Sequence, residues 1–282
     1  MYDEDFIAGC AELAMLLEVS GTPKPGNVDR THSFEDLRYE HFLASAVGIS
    51  PVFRQAASQQ DRIGDLILSA VKASAQWQRA GNCHFGAILL LIPLCMAAGQ
   101  SDSLNELKSR AAHVVENTSS SDAVQFYKSF QCFRVRVDEH DTLDVYDPAS
   151  LQMISDKKLT LYAIMQLSKR NDTIAAEWTE GFPRTFHGAQ LIKQYTESGL
   201  NLNDAIIRLF LTLLSKFPDT HVRKKWGEDI AHEISKEALL VLEHGNPADF
   251  DEDLIRRHIN PGTTADLVIG SLFIALLGGF RY

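Results

Sequence analysis

Val222–Pro247 reads VRKKWGEDIAHEISKEALLVLEHGNP, and its spacing decides the fold class. Val222, Trp226, Ile230 and Ile234 recur every four residues, which places their side chains along one side of a helix. The pattern runs on through Leu239–Leu242 to Gly245, a residue suited to a C-terminal cap, with Pro247 just beyond. Gly227 stands inside it at a cost of about 1 kcal/mol relative to Ala, and the reading carries one helix across it. The same period recurs outward from this stretch. Phe6, Cys10, Leu13, Ala14 and Leu17 form one apolar face that ends before Gly21-Thr22-Pro23. Ile63, Leu66, Leu68, Val71 and Ala75 line another, and Asp204, Ile207, Leu211 and Leu214 a third. Strict two-residue alternation appears mainly in Phe133–Val137 (FRVRV), the one candidate strand. The expectation is an all-α, single-domain bundle over residues 1–282, with about ten to thirteen helices and at most a short strand or hairpin.

Composition narrows the class further. The chain has 282 residues, 45% hydrophobic and 23% charged, which excludes wholesale disorder, a collagen-like repeat and a coiled-coil rod. With 27 Lys+Arg against 37 Asp+Glu the formal net charge is −10, the wrong sign for a non-specific nucleic-acid binder. The longest apolar runs are Gly86–Gly99 and Ala265–Phe280. The first falls short of the ~20 residues that span a bilayer and the second carries Asp266, so both read as buried core helices. MYDEDFIAGC has no positive n-region, and a cytoplasmic location is expected. Cys10, Cys83, Cys95 and Cys132 form no CxxC pair and read as reduced thiols. No GxxxxGK[ST], strand-borne GxGxxG, GxSxG or HExxH occurs, so the usual nucleotide and hydrolase folds are not supported.

The breaks between helices hold the chemistry: Pro23–Arg30 (PKPGNVDR), Gly81–Gly86 (GNCHFG), Asp141–Pro148 (DTLDVYDP), Phe217–Lys225 (FPDTHVRKK) and Asn260–Asp266 (NPGTTAD). Most open onto the start of an expected helix, where unpaired N–H groups and a partial positive charge suit phosphate. In the first block two prolines and Gly26 stiffen a loop offering Lys24 and Arg30, either a phosphate clamp or a solvated turn. Asn82 and His84 precede an apolar helix and either contact a ligand or cap it. Asp219 reads as an N-cap paired with Arg223. Lys224 and Lys225 nevertheless place positive charge in the first turn, where the macrodipole disfavours it, which points toward a ligand. Thr263 or Thr264 suits the N-cap of the last helix, and Asp266 its first turn. Asp172 is open between a capping acid and a metal ligand.

Taken in order, four blocks resemble those of the triphosphoribosyl-dephospho-coenzyme A synthase family. They are the PKPGxVDR-type block at Pro23–Arg30, N-x-H-x-G at Asn82–Gly86, D-T…R-K…G at Asp219–Gly227 and N/S-P-G-x-x-A-D-L at Asn260–Leu267. That family is all-α and makes the prosthetic-group precursor of citrate lyase and malonate decarboxylase. The resemblance implies a transferase: the 2′-hydroxyl of dephospho-coenzyme A attacks the anomeric carbon of ATP, adenine leaves, and the triphosphate stays on the transferred ribose. It implies Mg²⁺, with Asp29, Asp219 and Asp266 as metal ligands and catalytic groups. Lys24, Gly26, Arg30, Asn82, His84, Arg223, Lys224, Asn260, Gly262, Thr263 and Thr264 would surround the substrates and their phosphates. The expected partners are ATP and dephospho-coenzyme A or another hydroxyl acceptor, without nucleic acid or membrane, and a homodimer is left open. Where the synthases carry a Gly-Ala-His-x-Asp-Met-type block, this chain has Thr31–Leu37 and resembles the branch met in archaea and in bacteria with methanopterin-linked one-carbon metabolism. One alternative is a nucleotide-dependent step in building a methanopterin- or methanofuran-type carrier. Another is a non-enzymatic helical adaptor, which would expose an apolar patch instead of gathering these polar residues.

Overall fold

The computed structural model describes residues 2–58, 62–132, 143–144 and 147–282. Among them every regular element is a helix: α1 (Glu4–Ser20), α2 (Tyr39–Ser58), α3 (Ile63–Ser74), α4 (Phe85–Ala98), α5 (Leu104–Glu116), α6 (Ser120–Ser129), α7 (Pro148–Asp156) and α8 (Leu161–Ser168). There follow α9 (Thr173–Glu180), α10 (Pro183–Glu197), α11 (Leu202–Lys216), α12 (Thr220–Trp226), α13 (Glu228–His244), α14 (Pro247–Arg256) and α15 (Gly262–Leu277). The fold is all-α. Phe133–Val137, read as a strand, lies outside the described residues.

The helices outnumber the expectation, and Gly227 supplies one reason. Its φ of +92° ends α12, and α13 starts at the next residue, so the periodic stretch is two helices instead of one. In α1 the buried face is turned slightly from the one read in the sequence. Phe6 is exposed, and Ile7, Ala11 and Met15 join Cys10 and Ala14 in the core, an equally regular stripe one residue along. Local capping accounts for many boundaries: Ser103, Ser119, Thr160, Asp172, Asn201 and Asn246 each accept a first-turn N–H of the helix that follows. Asp172 is therefore placed as a capping acid.

The chain divides into two compact units, Met1–Glu12 with Ala44–Phe182, and Leu13–Leu43 with Pro183–Tyr282; two of the three divisions fall inside α1 and α2, the third between α9 and α10. In the first unit α4 is buried along nearly its whole length against α3, α5 and α9. Pro93 lacks the amide hydrogen that would bond the Leu89 carbonyl one turn back. The buried Trp178 of α9 replaces it, its indole N–H donating to that carbonyl at 2.7 Å. In the second unit α15 packs on α10, α11 and α12. Gly188 permits the close approach of α10, since a Cβ there would lie 2.9 Å from the Cβ of Ser271. Among the described residues no helix is long and apolar enough to cross a membrane; the two long apolar runs supply α4 and α15, both buried.

Candidate active site

Three of the four blocks lie in the second unit, and the structure brings them together there. The Pro23–Arg30 loop leaves α1 and is tied to α11 by Asn203. The Asn203 amide accepts from the Thr22 N–H at 3.0 Å and from Arg30 at 3.1 Å, and donates to the Thr22 carbonyl at 2.8 Å. Gly26 turns the loop with φ +71° and donates its N–H to Asp251 Oδ1 of α14 at 2.9 Å. A side chain at Gly26 would collide with the Ile259 carbonyl and with Leu254. Ile259 runs directly into the Asn260–Asp266 block.

That block opens α15, and the expected cap is not where the sequence places it. Neither Thr263 nor Thr264 is the N-cap; that position is Pro261, which offers no side-chain acceptor. Asp219, the N-cap of α12, serves both helices instead. Its Oδ1 accepts the N–H groups of His221 and Val222 at 2.8 and 3.0 Å, and its Oδ2 accepts the N–H and hydroxyl of Thr264 at 2.7 and 2.8 Å. All four acceptor positions of the carboxylate are thereby engaged. Burial pushes the Asp219 carboxyl above its ordinary value, against the pull of His221 and of these hydrogen bonds. The same His221 N–H is shared with the Thr263 hydroxyl, which accepts it at 3.1 Å, and Gly262 lies beside the His221 ring. Asp266 begins the second turn of α15 and is half-buried, as are Arg223 and Lys224 on α12.

Beneath the loop, Lys24 is 1% exposed and its Nζ stands 2.5 Å from Glu18 Oε1, with the Glu18 carbonyl at 2.9 Å. Burial raises the Glu18 carboxyl against the attraction of Lys24. Lys24, expected as a phosphate contact, is placed as the buried partner of an acid that the sequence reading did not select. Asp29 folds the loop around itself. Its Oδ1 accepts from the Thr31 N–H, the Thr31 hydroxyl and the His32 N–H at 2.7, 2.9 and 2.8 Å, and its Oδ2 from the Lys24 N–H at 3.1 Å. Burial alone would raise this carboxyl, but the hydrogen bonds prevail and hold it below the ordinary carboxylate range.

Asp29, His32 and Asp251 form a group whose ligand-type atoms all lie within 4.8 Å of one another. His32 Nδ1 is 2.5 Å from Asp251 Oδ2, yet neither atom has a hydrogen bond. Burial pushes the Asp251 carboxyl up, while the Gly26 N–H and His32 pull it down. Sequence reasoning missed His32 and Asp251. His32 stands two residues past Arg30, a position that is a usable signal. Asp251 is one acid among several in PADFDEDLIR, 225 residues from the glycine it holds, and nothing local marks it.

In the first unit, Asn82 caps the approach to α4, its Oδ1 accepting the Phe85 N–H at 2.8 Å. His84 is buried, with Nδ1 2.9 Å from the Ser45 hydroxyl, which in turn lies 2.6 Å from that of Ser74.

A family model for ATP:dephospho-CoA triphosphoribosyl transferase matches residues 4–281. The chain belongs to that family. A crystal structure from Archaeoglobus fulgidus, provisionally described as a triphosphoribosyl-dephospho-CoA synthase, is similar to it with 31% sequence identity and a TM-score of 0.71. The match covers 85% of this chain and 100% of the other. The family is one of enzymes, and this triphosphoribosyl transferase places three of its four blocks within one unit.

Proposed function

We propose that this transferase moves the 5-triphosphoribosyl group of ATP onto the 2′-hydroxyl of dephospho-coenzyme A in the cytoplasm, releasing adenine. The observation that supports the reading is the meeting of three blocks far apart in sequence, through Gly26 on Ile259 and Asp251 and through Asp219 on Thr264. The acceptor oxygen bonds to ribose C1 as the C1–N9 bond breaks. The electron pair of that bond goes to adenine, which is protonated, and the hydroxyl proton passes to a base. Asp219 and Asp29 each hold backbone and hydroxyl donors through four hydrogen bonds, a positioning task, and together with Asp266 they are the carboxylates that these blocks bring to the reaction. Arg30, Arg223 and Lys224 supply positive charge for the triphosphate. A divalent cation, Mg²⁺ in the family expectation, would neutralise part of that charge when bound.

The test is incubation of the protein with ATP, Mg²⁺ and dephospho-coenzyme A, followed by chromatography and mass spectrometry. Adenine should appear in step with a product heavier by one triphosphoribosyl group, and its release should require the acceptor. Release of ADP or pyrophosphate would mean that a different bond is cleaved and would overturn the reading.

A further inference from the structure

We infer that Asp29, His32 and Asp251 form a resident binding site for a divalent transition-metal ion. The inference deepens the reading above and rests on it for the use of the ion; the existence of the site is read from geometry. The three side chains come from two places, the loop after α1 and the middle of α14, and Gly26 joins them by donating to the other oxygen of Asp251 at 2.9 Å. Asp251 is 0% exposed, and its Oδ2, aimed at His32, has no hydrogen-bond partner. A buried carboxylate oxygen without a donor is costly, and structures retain one where a cation or a proton answers it. Its neighbour His32 Nδ1 is 2.5 Å away, an ion-pair contact without the alignment of a hydrogen bond. Ligands of an octahedral ion with bonds of about 2.1 Å stand about 3 Å apart, so a small opening of this contact admits an ion between them. Asp29 is suited to the third place. Three donors converge on its Oδ1, whereas its Oδ2 accepts the Lys24 N–H at 3.1 Å, and its carboxylate lies within 4.8 Å of the ligand atoms of His32 and Asp251.

The donor set indicates the class of ion. Mg²⁺ favours an all-oxygen shell and keeps much of its water, whereas an imidazole nitrogen with two carboxylates suits Mn²⁺, Fe²⁺ or Zn²⁺. His32 is 37% exposed, which leaves the outer side of the group open to water or to a phosphate oxygen. Asp219, with all four acceptor positions taken, has no place in this site.

Mn²⁺ titration of the full chain, followed by the electron paramagnetic resonance signal of free Mn²⁺ without ATP or acceptor, tests the site. One Mn²⁺ per chain should bind, at least about tenfold more tightly than Mg²⁺ competes for it. His32→Gln, which alters a half-exposed side chain, should weaken binding about tenfold or more while leaving the thermal melt unchanged. Asp251→Asn keeps an oxygen for the Gly26 N–H and should abolish binding. Mn²⁺ binding that appears only with ATP, equal competition by Mg²⁺, or unaltered binding in folded His32→Gln would each overturn the inference and leave an ordinary ion pair. Failure of adenine release with Mn²⁺ binding intact would count against the proposed reaction and not against the site.

Discussion

Gly26 meets two demands at once: a left-handed backbone and the absence of a side chain facing the Ile259 carbonyl and Leu254. Gly26→Ala should therefore destabilise the protein by about 2–4 kcal/mol, summing the backbone penalty and the overpacking. Urea unfolding measures it, and a loss below about 1 kcal/mol would show that the turn before α15 yields easily. Cys83 invites a different test. Burial pushes its thiol up to about 12, so the folded state keeps it protonated where an unfolded thiol has ionised. The sign is that stability falls as pH climbs from the ordinary thiol range near ~8.5 toward that value. At pH 8 a maleimide should label the exposed Cys132 quickly, and should reach Cys83, Cys10 and Cys95 only after unfolding. Peptide mass spectrometry would refute this if Cys83 reacted at the rate of Cys132.

At the level of helices, α4 depends on a neighbour to complete its own hydrogen bonding. Trp178→Phe keeps most of the apolar volume but leaves the buried Leu89 carbonyl without a donor, at an expected cost of about 1–3 kcal/mol. Pro93→Ala restores an amide hydrogen in the right place. The double variant should thus be more stable than the sum of the two single changes, by about 1 kcal/mol; strict additivity would deny the exchange of donors. This arrangement also shows where sequence is legible and where it is not. The apolar run of α4 announces a buried helix, and Pro93 announces a missing bond, but Trp178 lies 89 residues away. The same limit explains α15. Thr263 and Thr264 satisfy every local rule for an N-cap, yet the carboxylate that bonds Thr264 comes from Asp219, 45 residues upstream. Gly227 errs in the opposite direction: the apolar period passes through it unchanged, because a positive φ leaves no trace in side-chain spacing. The blocks themselves were legible as blocks, and Asp29 as a ligand implied by the resemblance; its companions His32 and Asp251 depend on a meeting of loop and helix that no window of sequence contains.

For the whole chain, composition and periodicity establish an all-α protein, while the contacts divide it into two units that the sequence reading takes as one domain. Behaviour on unfolding bears on both descriptions. One division, Phe182–Pro183, lies between α9 and α10, but the other two fall between Glu12 and Leu13, inside α1, and between Leu43 and Ala44, inside α2. A domain boundary ordinarily falls in an exposed linker, and neither of these does. Helix formation is cooperative along its length, so melting one unit would have to break α1 and α2 at points where the sequence offers no cap. We expect a single transition. In urea, far-UV circular dichroism should lose its helical signal in one step. Hydrogen exchange should release α4, the central helix of the first unit, and α15, the most buried of the second, at the same denaturant concentration. Release of α15 well before α4, with a shoulder in the dichroism curve, would mean that the units melt independently and that continuity through α1 and α2 does not couple them.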